Sequence, residues 1–167
     1  EKQTILRIIE KVKENLIEGD EIIVVDDHSD DGTTEVLRQI SDKSIKIIYH
    51  KKNFGKGKAL NSALKEELKD IVIIQDADLE YDPKDYYKLM KPFLQKKTMV
   101  VYGSRVLGRK KKINYTNIQD FPKNFRIFGN FILTKMSNLL NGQSLTDVHT
   151  CYKIFRREIF FKLNLKE

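Results

Sequence analysis

Short runs of β-branched residues alternate with amphipathic segments along this chain, and no other feature constrains its fold as strongly. EIIVVDD (21–27) and DIVII (70–74) are apolar on both faces, as in strands that are covered on both sides. The segments between such runs carry apolar residues every three or four positions, which predicts helices. The alternation therefore predicts an α/β fold with a mainly parallel central sheet and helices on both faces.

The same pattern sets the bounds of each predicted element. Strands are predicted over 21–27, 46–50, 70–74, 98–104 and 152–156, and helices over 2–17, 33–40, 56–68, 84–95, 123–140 and 157–163. Residues 105–122 are polar and basic without a clear period, so we expect a loop there. In the helix over 123–140, we expect Phe128, Phe131, Ile132 and Leu139 to pack into the core, because they recur at helical spacing.

Composition narrows the class of protein. A chain of 167 residues with 40% hydrophobic and 33% charged residues is typical of one folded domain. Its apolar runs are at most four residues long, so no segment is predicted to span a bilayer. The net charge of +7 favours anionic partners. The basic run Arg109–Lys112 is compatible with a solvated surface or with a loop near lipid headgroups.

Paired acids follow two of the predicted strands. Asp26 and Asp27 come after IIVV, and Asp76 and Asp78 come after IVIIQ. Open α/β sheets bind ligands beyond the carboxyl ends of their strands, so both pairs are candidates for a binding site. Local turn and capping contacts are an equally simple explanation for each pair. Two carboxylates at i and i+2 can also share one Mg²⁺ or Mn²⁺, with Glu80 as a third ligand.

Five ordered motifs resemble those of the family 2 glycosyltransferases. They are IIVVDDHSDDGT, NFGKGKALNSAL, IIQDADLEYDP, YGSR and LTDVHTCYKIFRRE. The chain is most similar to the branch that contains polyprenyl-phosphate (dolichyl-phosphate) mannose and glucose synthases. The resemblance implies the Rossmann-like GT-A fold of nucleotide-diphospho-sugar transferases. We expect residues 1–167 to be a single catalytic domain, part of a longer chain, without the family's N-terminal strand.

The resemblance also implies roles for individual residues. Asp26 and Asp27 correspond to the acids that hold the nucleotide base and ribose, and the lysines of NFGKGKA, Lys56 and Lys58, approach the nucleotide. Asp76 and Asp78 correspond to the metal pair, with Asp78 also counted as catalytic.

Other implied roles concern the donor sugar and the acceptor. Glu80 stands where many relatives complete the metal site. Arg105, also counted as catalytic, would face the donor sugar, and Arg126 and Lys153 would face the acceptor phosphate. Asp147 matches the TD pair on the acceptor side, where it would take a proton from a hydroxyl acceptor.

The implied activity is transfer of a hexose from a UDP- or GDP-sugar with inversion, supported by Mg²⁺ or Mn²⁺, at the cytoplasmic face of a membrane. The favoured acceptor is a polyprenyl phosphate. TDVHTCYK departs from the T-D-x-x-S-G-F-R of the polyprenyl-phosphate synthases, which leaves a glycan hydroxyl of a cell-surface polysaccharide as an alternative. A third hypothesis is that the chain is a non-enzymatic module that binds an anionic ligand. Nucleic acid is not expected as a partner, because the strand-end acids would repel its phosphates.

Overall fold

The computed structural model describes residues 1–66, 69–108, 121–160 and 162, with backbone alone at 108, 121–126 and 160. The helices are α1 (Ile5–Lys13), α2 (Thr33–Leu37), α3 (Lys56–Leu64), α4 (Tyr86–Met90), α5 (Arg105–Gly108), α6 (Phe121–Asn141) and α7 (Arg157–Phe160). The strands are β1 (Ile22–Asp26), β2 (Ile45–Tyr49), β3 (Ile71–Ile73), β4 (Val100–Tyr102) and β5 (Lys153–Arg156). The predicted alternation of strands and helices is confirmed.

The strands pair in two sheets. β1 and β2 run parallel, whereas β5 lies between β3 and β4 and runs antiparallel to both. Because β5 is antiparallel, its first residues lie at the edge where β3 and β4 end. Ile73 is opposite Ile154, and Tyr102 is opposite Lys153. Residues that follow β3, follow β4 and precede β5 therefore meet at one edge of this sheet.

Two hydrophobic clusters hold the layers together. The first packs Ile5, Ile8 and Ile9 of α1 against Leu37 and Ile45. The second contains Leu64 of α3 and Phe155 of β5, with partly buried apolar residues of β1, β3 and β4 around them. Burial of each such side chain contributes roughly 1.5–3 kcal/mol, so these clusters fix the strands that carry the candidate site.

Two predicted segments differ from the structure in detail. The helix expected over 84–95 is divided into a 3₁₀ turn (Pro83–Asp85), α4 and a second 3₁₀ turn (Lys91–Leu94). Pro92 explains the second break, because proline lacks the backbone N–H that an α-helix would use there. The loop expected over 105–122 begins with the short helix α5, and its last two residues, 121–122, belong to α6. Residues 109–120, including Arg109–Lys112, lie outside the described ranges.

Helix α6 forms as predicted, but its apolar residues face outward. Phe128, Phe131, Ile132 and Leu139 are 59%, 57%, 40% and 84% exposed, so the prediction that they pack into the core is wrong. Helical spacing reveals an apolar face but cannot say whether that face turns toward the core. Among the described residues, no helix has the length and apolar character needed to cross a bilayer.

Candidate active site

A cavity of about 240 Å³ opens at the sheet edge where β3 and β4 end and β5 begins. Its lining brings together carboxylates and basic groups from segments far apart in sequence. The lining residues are Lys56, Asp76, Asp78, Glu80, Tyr81, Arg105, Val148, His149, Thr150, Cys151 and Lys153. Six residues predicted from sequence to form the site therefore line one cavity: Lys56, Asp76, Asp78, Glu80, Arg105 and Lys153.

Asp76 forms an ion pair across the cavity. The Lys56 ammonium, at the start of α3, donates to Asp76 Oδ1 at 2.5 Å. Burial opposes ionisation of Asp76, but hydrogen bonds from Lys56 and Cys151 outweigh it and hold its pKa below the usual value. Asp76 is therefore ionised at neutral pH and can bind a cation.

Asp78 and Glu80 are separated by a sharp turn. Leu79 has φ +62°, and the backbone N–H of Glu80 donates to Asp78 Oδ1 at 2.9 Å. In a regular strand, Asp76, Asp78 and Glu80 would lie on the same face. The turn at Leu79 interrupts the extended backbone between Asp78 and Glu80. Within the described part of the chain, no three His, Cys, Asp or Glu residues are grouped to hold a metal ion. Glu80 lines the cavity with the two aspartates, and its role as a third metal ligand stays a prediction.

The two aspartates still fit a divalent cation. Both line the cavity, and both are hard oxygen donors of the kind that Mg²⁺ and Mn²⁺ prefer. A cation of this type usually takes one or two carboxylates from the protein and completes its shell with water and phosphate oxygens. The Lys56 ammonium on Asp76 shows that this position already accepts a positive charge.

Arg105 is clamped by the buried carboxylate of Asp147. Its Nε and Nη2 donate to the two carboxylate oxygens at 2.8 and 3.0 Å, and its backbone N–H donates at 3.1 Å. Asn130 of α6 supplies a fourth donor at 3.0 Å. Arg105 Nη2 also donates to the carbonyl oxygen of His149 at 3.1 Å, which ties the arginine to the cavity rim.

This clamp changes the role expected of Asp147. The residue is 1% exposed and is not among the residues that line the cavity. Burial opposes its ionisation, but the hydrogen bonds from Arg105 and Asn130 dominate and lower its pKa to about 2. A buried carboxylate with four donors and this pKa is a poor base, which favours a positioning role for Asp147 over the role of proton acceptor; the latter stays a prediction.

Lys153 and Cys151 also line the cavity. Lys153 Nζ donates to the carbonyl oxygen of Thr150, and burial lowers the pKa of the ammonium. Burial and a hydrogen bond to Asp76 raise the pKa of the Cys151 thiol to about 11, so the thiol stays protonated at neutral pH. Lys153 is thus a second amine beside the aspartate pair.

Asp26 is engaged within its own loop, and Asp27 is engaged by the segment between β2 and α3. Asp26 accepts hydrogen bonds from Ser29 and Thr34 and is 4% exposed. Asp27 accepts from the backbone N–H groups of Phe54 and Gly55, the latter at 2.7 Å, and contacts the imidazole of His50. The explanation by local turn contacts is thus supported for Asp26, whereas Asp27 joins two loops that are distant in sequence.

The remaining predicted residues are not brought into the cavity. Neither Asp26 nor Asp27 lines it, and Lys58 is an exposed residue of α3 that does not line it either. The side chain of Arg126, on α6, lies outside the described residues. The nucleotide and acceptor roles of these four residues stay predictions.

Sequence reasoning missed two contributors. Tyr81 lines the cavity, and its hydroxyl accepts the backbone N–H of Cys151 at 2.9 Å, which joins the segment after β3 to the segment before β5. Asn130 holds Asp147 from α6. Asn130, Thr134 and Asn138 recur at intervals of four along α6, a signal that marks one face of the helix but does not say what that face contacts.

Several known proteins are similar to this chain in sequence. The family model described as "Glycosyl transferase family 2" matches residues 1–163. A UDP-N-acetylglucosamine–dolichyl-phosphate N-acetylglucosaminyltransferase of Methanococcus voltae is 27% identical over 155 residues, covering 83% of this chain and 59% of the relative. An undecaprenyl-phosphate 4-deoxy-4-formamido-L-arabinose transferase of Photorhabdus laumondii is 29% identical over 142 residues, covering 83% and 40%.

A solved structure supports the fold. The mannosyltransferase PcManGT from Pyrobaculum calidifontis, in complex with GDP-Man and Mn²⁺, has a TM-score of 0.64. It is 22% identical, and the match covers 98% of this chain and 44% of that one. At this identity the likeness shows the fold alone, and that fold is GT-A. The chain spans between two fifths and three fifths of the length of these proteins.

Proposed function

The chain belongs to glycosyl transferase family 2, and on that premise we propose that it transfers a hexose from a UDP- or GDP-sugar to a polyprenyl phosphate. The observation that carries the proposal is the convergence of Asp76 and Asp78 with Lys56, Arg105 and Lys153 on one cavity. With Glu80 included, three acidic and three basic side chains among the described residues line the cavity. A divalent cation bound there would therefore leave a net positive charge. Such a site suits ligands that carry phosphate.

The donor end of the cavity is formed by Asp76, Asp78 and Lys56. The two aspartates would hold Mg²⁺ or Mn²⁺ beside the diphosphate of the nucleotide sugar. A cation bound there supplies charge neutralisation as the nucleoside diphosphate departs. Lys56, which contacts Asp76 in this structure, would be available to hold the phosphate oxygens when a cation occupies the carboxylate.

We propose that Arg105, which the resemblance assigns to the donor sugar, lies instead with Lys153 at the acceptor end, since both line the cavity. Asp147 orients the guanidinium through Nε and Nη2 and fixes its plane, which is the preorganisation that phosphate binding needs. The acceptor phosphate oxygen forms a bond to the anomeric carbon while the bond from that carbon to the diphosphate oxygen breaks. The nucleoside diphosphate leaves with the electron pair, and the configuration inverts.

A phosphate acceptor fits the electrostatics of Asp147 better than a hydroxyl acceptor does. A lipid phosphate is already an oxyanion, so the reaction needs no general base. A sugar hydroxyl must lose a proton to a base, and the carboxylate predicted for that role is buried and fully engaged. We therefore favour the polyprenyl phosphate over the glycan hydroxyl, and we propose that residues 1–167 act as a catalytic domain at the cytoplasmic face of a membrane.

Product extraction tests the acceptor. We expect label from a UDP- or GDP-hexose to move, in the presence of Mn²⁺ and a polyprenyl phosphate, into a product that organic solvent extracts and mild acid releases. The matched control is the free polyprenol, which has the same chain without the phosphate and should accept at most about one hundredth as much label, because Arg105 and Lys153 lose their ligand. Equal labelling of both lipids, or label found only in a water-soluble glycan, would contradict the proposal.

A further inference from the structure

The turn at residues 53–55, which leads into α3, is held by a carboxylate from a distant part of the sequence. Asp27, directly after β1, accepts the backbone N–H groups of Phe54 and Gly55 at 3.0 and 2.7 Å. Gly55 has φ +84°, in the left-handed region that favours glycine. Both N–H groups must stay within hydrogen-bond distance of one carboxylate, so the position of Asp27 fixes the backbone of the turn.

His50 holds that carboxylate from a second direction. Its Nδ1 lies 2.5 Å from Asp27 Oδ1, and its Nε2 lies 2.7 Å from the Ser62 hydroxyl. Desolvation opposes ionisation of Asp27, but hydrogen bonds from His50 and from the turn outweigh it and keep its pKa below the usual value. Because the carboxylate is ionised, Nδ1 carries the proton and donates it to the hydrogen bond. In the neutral ring Nε2 then accepts the Ser62 hydroxyl.

His50 is itself fixed by the elements around it. Its backbone N–H donates to the carbonyl oxygen of Asp26 at 2.9 Å. Its ring packs edge-on against the ring of Phe54, with the centroids 5.4 Å apart. The imidazole side chain is only 9% exposed. Through these contacts and that with Ser62, His50 joins the end of β1, the turn and helix α3.

The residue that follows this turn is Lys56, the first residue of α3. Its ammonium reaches Asp76 at 2.5 Å, although the side chain is 62% exposed. A long, flexible and exposed lysine side chain reaches one place reproducibly only when its backbone is fixed. The place of the Lys56 ammonium in the cavity therefore depends on the turn.

We infer that His50 is a positioning residue: through Asp27 it holds the turn before α3, and the turn places Lys56 in the cavity. The inference rests on the proposed function, in which Lys56 holds the donor phosphates. The order of Ser62, His50 and Asp27 is that of a hydrolytic triad. However, Asp27 is also bound by two backbone N–H groups, and none of the three residues lines the cavity, which favours a holding role over a nucleophilic one.

Amide hydrogen exchange tests the first step without any donor. We expect His50→Ala to speed exchange at Phe54 and Gly55 at least about tenfold, because their acceptor loses its fixed position. His50→Asn should restore most of the protection, since the asparagine amide can donate from about the place of Nδ1. Ser62→Ala is a milder change that removes only the partner of Nε2, and it should speed exchange in the same direction.

Asp42→Ala is the matched control for hydrogen exchange. It removes three hydrogen bonds of the loop before β2, at the opposite end of that strand from His50. It should leave exchange at the turn unchanged. Exchange that His50→Ala does not alter, or that Asp42→Ala raises equally, would overturn the inference.

Titration with nucleotide sugar and Mn²⁺ tests the second step. We expect His50→Ala to weaken donor binding about fivefold, and Lys56→Met to weaken it about tenfold by removing a charged contact to phosphate. The double variant should bind no more weakly than Lys56→Met alone, because His50 acts only through Lys56. Losses that multiply to about fiftyfold would contradict this and would indicate that Asp27 meets the nucleotide directly.

The two measurements keep the inference separate from the proposed function. Donor binding by the unaltered chain, combined with unchanged exchange in His50→Ala, defeats the positioning role alone. Absence of donor binding by the unaltered chain defeats the proposed function and with it the purpose of placing Lys56. In that case hydrogen exchange still decides whether His50 holds the turn.

Discussion

Replacing Asp78 with asparagine is expected to lower kcat/KM about a thousandfold while leaving the free energy of unfolding within about 0.5 kcal/mol of the original. The amide removes the negative charge that a divalent cation needs. It keeps an oxygen that can accept the backbone N–H of Glu80, now donating at 2.9 Å, so the turn is preserved. The change therefore separates a role in the reaction from a role in the fold.

The measurement is hexose transfer at saturating Mn²⁺, with urea unfolding of the same sample. Asp82→Asn is the matched control, because Asp82 also accepts a backbone N–H, from Lys84 at 3.2 Å, and does not line the cavity. The control should transfer at nearly the original rate. If Asp78→Asn unfolds the protein while the folded fraction transfers normally, Asp78 has no part in the reaction.

Replacing Asp147 with asparagine is expected to lower the free energy of unfolding by about 1.5 kcal/mol at neutral pH, because hydrogen bonds from a charged donor are lost while the partly exposed guanidinium keeps its contact with water. The folded-state pKa of Asp147, about 2, is below the unfolded value of about 3.9. Its stabilising contribution is therefore present in full above about pH 4 and is lost as the pH falls toward 2. The asparagine variant should lack that part of the acid dependence.

Urea unfolding between pH 7 and pH 2.5 measures both effects. Asp85→Asn is a suitable control, because Asp85 pairs with Lys88 on the surface at 2.8 Å, and such pairs contribute at most about 1 kcal/mol. Transfer by the folded Asp147→Asn protein should also fall, since Arg105 loses its fixed orientation. A variant as stable as the original at pH 7, or one with an unchanged acid profile, would show that the clamp contributes nothing.

Much of the site was predictable because it depends on topology. Paired acids after buried strands indicated a ligand site at the carboxyl ends, and Asp76 and Asp78 do line the cavity there. The same rule also selected Asp26 and Asp27, which do not line the cavity. Their carboxylates accept hydrogen bonds from hydroxyl and backbone N–H groups instead. Tertiary contacts decide whether an acid faces a ligand or holds a loop in place. One such contact is made by Gly55, which has φ +84° and donates its backbone N–H to Asp27.

The orientation of α6 and the burial of Asp147 were beyond sequence reasoning for a related reason. The spacing of apolar residues identifies the two faces of a helix but not what each face contacts. The apolar face of α6, which is exposed, was therefore expected to pack into the core. Asp147 was expected to be an accessible acid because its motif neighbours the acceptor side. Its burial follows from the approach of Arg105 and Asn130, 42 and 17 residues away in sequence.

Calorimetric titration of the chain with GDP- and UDP-hexoses, first stripped of metal and then supplied with Mn²⁺, tests the central claim most directly. If Asp76 and Asp78 hold a cation beside the donor diphosphate, one of the two donors should bind at least about tenfold more tightly with Mn²⁺. That gain should vanish when both aspartates are replaced by asparagine. Equal donor affinity with and without Mn²⁺, or a gain that survives the double substitution, would contradict the account.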